Sequence, residues 1–257
     1  MPVASDARRV LALVDLTDLG EAPTAEAITQ LCRRATGSHG STAAVCVWPR
    51  FVAQAKALLA SSGVRVATVV NFPDGGSDAD LVVAETRAAL AAGADEIDLV
   101  MPYRAFLAGH DDVVVTVLDR VRACVVGPAR LKVILETGAH PDRDSIARAT
   151  VLAIDHGADF VKTSTGKTSV SATPDAVRTM LEVIRGSGRA VGIKPSGGIR
   201  TLDDARAYLA IADDVMGASW ATPETFRFGA SGLLDALESA IEGAGDGFDP
   251  GAVGDGY

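Results

Sequence analysis

Lysine is scarce in this chain. There are five, Lys56, Lys132, Lys162, Lys167 and Lys194, against nineteen arginines. Two of them, Lys162 and Lys194, close short apolar runs, ADFVK and AVGIK. An ammonium at the end of a buried strand has lost its water, which is costly unless something compensates. Desolvation and a neighbouring cation both lower a lysine's pKa, and a lysine so depressed attacks carbonyls. The plainer alternative is that each lysine only pairs with a carboxylate such as Asp15, Asp98 or Glu136. Chemistry is the preferred reading, because arginine is the default cation here and lysine is kept for these two strand ends. Spacing lets either lysine be the nucleophile. Asp98, inside the apolar stretch EIDLVMPYR, places a carboxylate where two ammoniums would set its pKa, as proton transfer requires.

Two glycine-rich segments suit an anion. KPSGGIR offers the Gly197, Gly198 and Ile199 amides ahead of a helix beginning near Thr201. RFGASG offers Gly229, Ser231 and Gly232 ahead of the final helix. Backbone N–H groups at a helix N-terminus attract phosphate, and either loop alone could equally be an ordinary tight turn.

These residues need a scaffold that brings strand ends together. Short β-branched runs alternate with longer helical patterns, the signature of βαβ units. Strands are expected at Leu11–Asp15, Ala43–Val47, Val66–Asn71, Glu96–Val100, Leu131–Glu136, Phe160–Lys162, Val191–Lys194 and Asp214–Met216. Helices are expected at Asp78–Ala92, Val113–Val126, Asp142–His156 and Pro174–Arg185. Asp142 and the Thr173-Pro174 pair read as helix starts, and Gly93, Gly157 and Gly186 as helix ends. Eight units in 257 residues with no second domain favour an α/β fold, a single (β/α)8 TIM barrel, over an open doubly wound sheet. The barrel domain is placed at residues 1–242. Residues 243–257, rich in Gly and Asp, read as a flexible tail ending in Tyr257. In such a barrel the C-terminal strand ends form one pocket. Asp15, Thr17, Cys46, Asn71, Asp98, Glu136, Lys162 and Lys194 would then converge.

Composition excludes several classes. A net charge of −9 and the absence of any basic run argue against a nucleic-acid partner. No segment approaches the ~20 apolar residues of a membrane span. The N-terminus lacks the apolar run and cleavage site of a secretory signal, so a cytoplasmic location is expected. Cys32, Cys46 and Cys124 are odd in number and lack metal-ligand spacing. Neither do His39, His110, His140 and His156 fall at i, i+4, so no metal is expected. Cys46 is read as a small core residue in preference to a pocket residue.

With Lys162 in FVKTSTGK, Lys194 in GIKPSGGIR, Asp98 in EIDLVMPYRAFLAG, and RFGASG near the end, the chain resembles the deoxyribose-phosphate aldolase family from Leu13 to about Leu237. The resemblance implies a class I aldolase and aldehyde-lyase, EC 4.1.2.4, usually a homodimer, using neither metal nor organic cofactor. It implies cleavage of 2-deoxyribose 5-phosphate to glyceraldehyde 3-phosphate and acetaldehyde in deoxyribonucleotide catabolism. By matching motifs, Lys162 is implied as the Schiff-base lysine, with Lys194 lowering its pKa and Asp98 relaying protons. Thr165, Lys167, Gly198, Arg200 and Ser231 would line the substrate and phosphate sites. Tyr257 would protonate the enamine carbon. Gly232 stands where many members carry a second serine, which predicts weaker phosphate discrimination. Two other readings share the barrel and loops: a phosphosugar isomerase or epimerase using a carboxylate base, and a phosphosugar-binding protein with no catalysis.

Overall fold

The computed structural model describes residues 3–243. Eight parallel strands form the sheet: β1 (Val14–Asp18), β2 (Ala44–Val47), β3 (Arg65–Val70), β4 (Glu96–Val100), β5 (Arg130–Ile134), β6 (Phe160–Lys162), β7 (Gly192–Lys194) and β8 (Phe228–Ala230). Neighbours pair in sequence order from β1 to β7, and β8 returns to pair with β1. Parallel bridges Ile193–Phe226 and Ser196–Gly229 bring β7 and β8 together, so the sheet is a nearly closed barrel. Among the described residues ten α-helices wrap it: α1 (Val3–Leu11), α2 (Ala25–Ala35), α3 (Val52–Leu59), α4 (Ala79–Ala91), α5 (Tyr103–Leu107), α6 (Asp111–Arg122), α7 (Arg143–Asp155), α8 (Pro174–Ser187), α9 (Leu202–Met216) and α10 (Leu233–Gly243). None of these helices is long and apolar enough to cross a membrane.

The helix starts follow from local chemistry. The Asp142 side chain accepts from the Ser145 amide at 2.8 Å, and the Thr173 hydroxyl accepts from the Ala176 amide at 3.2 Å ahead of Pro174. Thr201 and Asp204 form a reciprocal capping box that fixes α9 directly behind the KPSGGIR loop.

Strand period decides where the core sits. On β2, Val45 and Val47 join the large apolar layer between sheet and helices, while Cys46 joins Ala67, Val69 and Leu19 in a small cluster of its own. Ile97 and Leu99 on β4, Leu131 and Val133 on β5, Val161 and Ile193 face the outer layer in the same way. The alternate positions Asp98, Lys132, Lys162 and Lys194 are therefore turned into the barrel.

Four expectations are corrected. Asp214–Met216 is the last turn of α9, because LDDARAYLAIADDVM carries an unbroken helical apolar face of Leu202, Ala205, Leu209, Ala212 and Val215. The eighth strand is instead Phe228–Ala230, so Gly229 is a strand residue and only Ser231 and Gly232 form the following turn. Gly186 lies inside α8, whose left-handed cap is Gly188 at φ 66°. α10 also runs through Gly243, the first residue assigned to the tail; Tyr257 lies outside the described residues.

Candidate active site

Register places the chemistry. Asp98 pairs with Lys132 across β4 and β5, Lys162 pairs with Lys194 across β6 and β7, and Lys162 is in register with Ile134, two residues beyond Lys132, so the side chains converge on Asp98 from two adjacent levels. Asp98 is the hub. Its Oδ2 accepts from Lys162 Nζ at 2.9 Å and Lys194 Nζ at 2.8 Å, and its Oδ1 accepts from Lys132 Nζ at 2.7 Å. Lys194 also lies 2.6 Å from Asp15 Oδ2. A second tier continues below. Lys132 lies 2.6 Å from Glu96, and Arg227 donates to Asp15 at 2.6 Å and to Glu96 at 3.0 Å.

Lys162 retains 2% exposure, whereas Lys132, Lys194 and Asp98 have none, so it is the ammonium of the three that can be reached from outside. Burial, the largest influence, pushes Lys162 below the ordinary lysine value. Lys194 pushes the same way, and Asp98 alone does not reverse it. Burial also opposes the charge on Lys194, but Asp15 and Asp98 together outweigh it and hold that group above its ordinary value. Burial would raise Asp98, yet Lys132, Lys162 and Lys194 drive it well below the carboxylate range. The two strand-end lysines thus share one carboxylate oxygen and are pushed in opposite directions.

Above this cluster opens a cavity of about 950 Å3. Its inner wall holds Thr17, Thr165, Ser196 and Gly229, and its rim Lys167, Gly197, Gly198, Arg200, Ser231 and Gly232. The ionic cluster lies immediately behind Gly229, where an added Cβ would collide with Ser196 Oγ and come within 3.1 Å of Lys194 Cε. Only glycine fits there. Gly197 is required for a second reason: its φ of 83° favours glycine, and a Cβ would meet Ser171 Oγ at 2.5 Å. The backbone of RFGASG can thus approach both the lysines and an anion.

The wall is itself held in place. The Thr165 hydroxyl donates to Glu136 Oε2 at 2.5 Å and accepts from the Lys167 amide at 3.0 Å. Lys167 Nζ reaches across the mouth to the Leu19 carbonyl at 2.7 Å. The Thr17 hydroxyl donates to the Asp15 carbonyl at 2.8 Å. Arg200 and Ser231 are exposed at the rim.

The structure brings Lys162, Lys194 and Asp98 together and arrays the expected loop residues over them. Cys46 is fully buried among Leu19, Ala67 and Val69. Asn71 is turned aside: its amide donates to the Gly76 and Val100 carbonyls. Sequence reasoning missed Lys132, Glu96 and Arg227. Period-two counting back from Asp98 reaches Glu96, and forward from Arg130 reaches Lys132, so the signal for two of them was present. Among the described residues, no group of three or more His, Cys, Asp or Glu side chains is placed to hold a metal ion.

A model of the DeoC/LacD family aldolases matches residues 9–238. The chain is 51% identical over 248 residues to a deoxyribose-phosphate aldolase of Agrobacterium fabrum, covering 96% of this chain and 94% of that one. An apo-form structure from Toxoplasma gondii ME49, provisionally named a deoxyribose-phosphate aldolase, is 29% identical with a TM-score of 0.85, covering 94% of this chain and 97% of that one. A deoxyribose phosphate aldolase of Aeropyrum pernix, described as having a unique tetrameric structure, shares the fold at 24% identity and a TM-score of 0.73, covering 92% and 96%.

Proposed function

The chain belongs to the DeoC/LacD aldolase family, and on that premise we propose that it cleaves 2-deoxyribose 5-phosphate to glyceraldehyde 3-phosphate and acetaldehyde through an imine on Lys162. The observation that carries this reading is the pair of buried lysines on one oxygen of Asp98, Lys162 pushed down and Lys194 pushed up. A neutral amine beside a fixed ammonium is what imine formation needs: one attacks the carbonyl while the other supplies a proton.

Lys162 Nζ adds to the aldehyde carbon C1 of the open-chain sugar, giving a carbinolamine. Lys194 protonates the departing hydroxyl, which leaves as water and yields the iminium. Loss of the C3 hydroxyl proton to a water held by Asp98 and Lys194 sends the C2–C3 bonding pair toward the iminium. Glyceraldehyde 3-phosphate departs and an enamine remains. Protonation at C2 and addition of water release acetaldehyde and restore the amine. Asp98, held as the anion by the Lys132 and Lys194 ammoniums, keeps both strand-end lysine nitrogens on one side of the reacting carbon.

The Gly197, Gly198, Ser231 and Gly232 backbone, with Arg200 and Lys167, supplies the phosphate end, supported by their shared position on one rim. Tyr257 is proposed as the C2 proton donor; its deletion should abolish proton exchange at that carbon while leaving imine formation intact. A homodimer is proposed as the assembly, and a monomer or tetramer in sedimentation equilibrium would remove it. The proposed setting is cytoplasmic deoxyribonucleotide catabolism, which growth of a deletion strain on deoxynucleosides would test.

Borohydride reduction in the presence of 2-deoxyribose 5-phosphate, followed by peptide mass spectrometry, tests the mechanism. An adduct on Lys162 supports it, an adduct on Lys194 exchanges the lysine roles, and no adduct during turnover points to a carboxylate-base isomerase or epimerase.

A further inference from the structure

The ionic cluster extends well beyond the groups that a lysine aldolase needs to touch substrate. Seven ionisable side chains, none with more than 2% exposure, form one connected network inside the barrel: Lys132, Lys162, Lys194 and Arg227 against Asp15, Glu96 and Asp98. Four potential cations face three carboxylates. Away from water an uncompensated charge is expensive, so the network is balanced only when one cation gives up its proton.

The contacts say which. Lys132 lies against Glu96 at 2.6 Å, Asp98 at 2.7 Å and Asp15 at 3.6 Å. Arg227 spans Asp15 and Glu96, and a guanidinium does not deprotonate in proteins. Lys194 has Asp15 and Asp98. Among the described residues Lys162 has only Asp98, through an oxygen it shares with Lys194. The surplus proton is therefore weakest on Lys162.

We propose that Lys132 is a positioning residue that acts with Glu96 and Arg227, beneath the reacting lysines, to set the charge balance that leaves Lys162 as the neutral amine. This rests on Lys162 being the nucleophile. The directions already noted for Lys162 and Lys194 agree with it, and Lys132 is held above its ordinary value by Asp98 and Glu96 against the effect of burial. The other titratable groups around Lys162 leave the count unchanged. The Cys46 thiol on β2 is pushed up by burial and stays neutral. Glu136, after β5, is buried outside the network, accepts from the Thr165 and Thr168 hydroxyls and makes no ion pair among the described residues. β3 contributes Thr68, which donates to the Val47 carbonyl, and the part-exposed Arg65, 3.7 Å from Glu96 but also 3.6 Å from Glu224 outside the barrel, where its charge is matched in contact with water.

The balance makes a signed prediction that loose packing would not. Removing a cation from the lower tier leaves a carboxylate uncompensated, so Lys162 takes up a proton more readily. Removing a carboxylate does the reverse. The readout is the pH dependence of borohydride-trapped adduct on Lys162 with limiting 2-deoxyribose 5-phosphate. Lys132→Met should move the acid limb up by about one to two pH units, and Glu96→Gln should move it down by a similar amount. The double variant and Lys132→Arg should both return it near the parent position. An adduct on Lys162 in the parent, with both single variants moving the limb the same way or not at all, overturns the proposal. Should Lys132→Met fail to fold, Glu96→Gln carries the test, and an unmoved or raised limb overturns the proposal. A parent chain that traps no adduct on Lys162 overturns the aldolase mechanism itself.

Discussion

Behind Gly229 stand seven buried ionisable side chains fixed by one another; in front of it stand loops of Gly, Ser and Thr that meet the open cavity mostly with backbone. The two regions are one residue apart and solve different problems. A nucleophile's protonation state responds steeply to desolvation and near charges, so the interior excludes water and matches cations with anions. Phosphate is already charged and strongly hydrated, so the mouth needs many N–H donors at the right spacing and little burial. On the proposed function, chemistry falls to side chains and recognition mainly to main chain. If that division is correct, changes behind Gly229 should alter rate and pH dependence, and changes in front should alter affinity.

The sharpest break in that division is Lys162→Met. It should lower kcat by roughly four orders of magnitude or more, as removal of a covalent nucleophile does elsewhere. Asp98 keeps Lys132 and Lys194 as partners, so the melting temperature should hold or rise as a buried polar amine gives way to an apolar side chain of similar length. A large loss of stability with partial activity would mean that Lys162 is structural.

Acid should affect the interior first. Asp98 and Asp15 are both held below the ordinary carboxylate value: burial would raise each, but for Asp98 Lys132, Lys162 and Lys194 reverse this, and for Asp15 Lys194, Arg227 and Lys132 do. Their stabilisation is fully present above the unfolded value of about 3.9 and is lost as pH falls through the lower folded values. The melting temperature should therefore be steady from neutrality to about pH 5 and fall steeply below pH 4. In Asp98→Asn that fall should be shallower, and an unchanged slope would remove Asp98 as a major contributor.

Two glycine variants test the boundary itself. Gly229→Ala drives a Cβ into Ser196 and against Lys194, and should cost about 1–3 kcal/mol of stability together with at least a tenfold drop in kcat. Gly197→Ala meets Ser171 instead, in the left-handed region, and should raise KM for the phosphorylated sugar with kcat nearly kept. Steady-state kinetics that place both effects in the same constant would erase the distinction between interior and mouth.

Much of this is legible in the sequence. The barrel followed from alternating apolar runs, and β4 and β6 match their expected bounds because each is a short apolar run cut off by turn residues. Lys162, Lys194 and Asp98 were visible as charges where an apolar period required none. The eighth strand was misplaced because Phe228–Ala230 is three residues long and embedded in what reads as a loop, whereas the end of α9 carries a β-branched residue, Val215. The lower tier escaped for a different reason. Arg227 precedes its strand and joins the network only through closure of β8 on β1, a pairing of residues about two hundred apart that no local pattern encodes.

The smallest effect concerns the mouth alone. Gly232 follows β8 at the exposed rim, and a Cβ built there meets nothing within 4 Å, so serine enters without strain. A hydroxyl at that position adds one donor to the amides, the Ser231 hydroxyl and the Arg200 and Lys167 cations already on the rim. A hydrogen bond to a charged group contributes about 1.5–3 kcal/mol when fully desolvated, and at this exposed rim the gain should be nearer 1 kcal/mol, or roughly fivefold. Gly232→Ser should therefore lower KM for 2-deoxyribose 5-phosphate a few-fold, leave kcat unchanged, and leave 2-deoxyribose untouched. An unchanged ratio of kcat/KM between the two sugars would show that the Gly232 amide alone saturates that corner of the anion site. The serine found in many family members would then serve something other than phosphate preference.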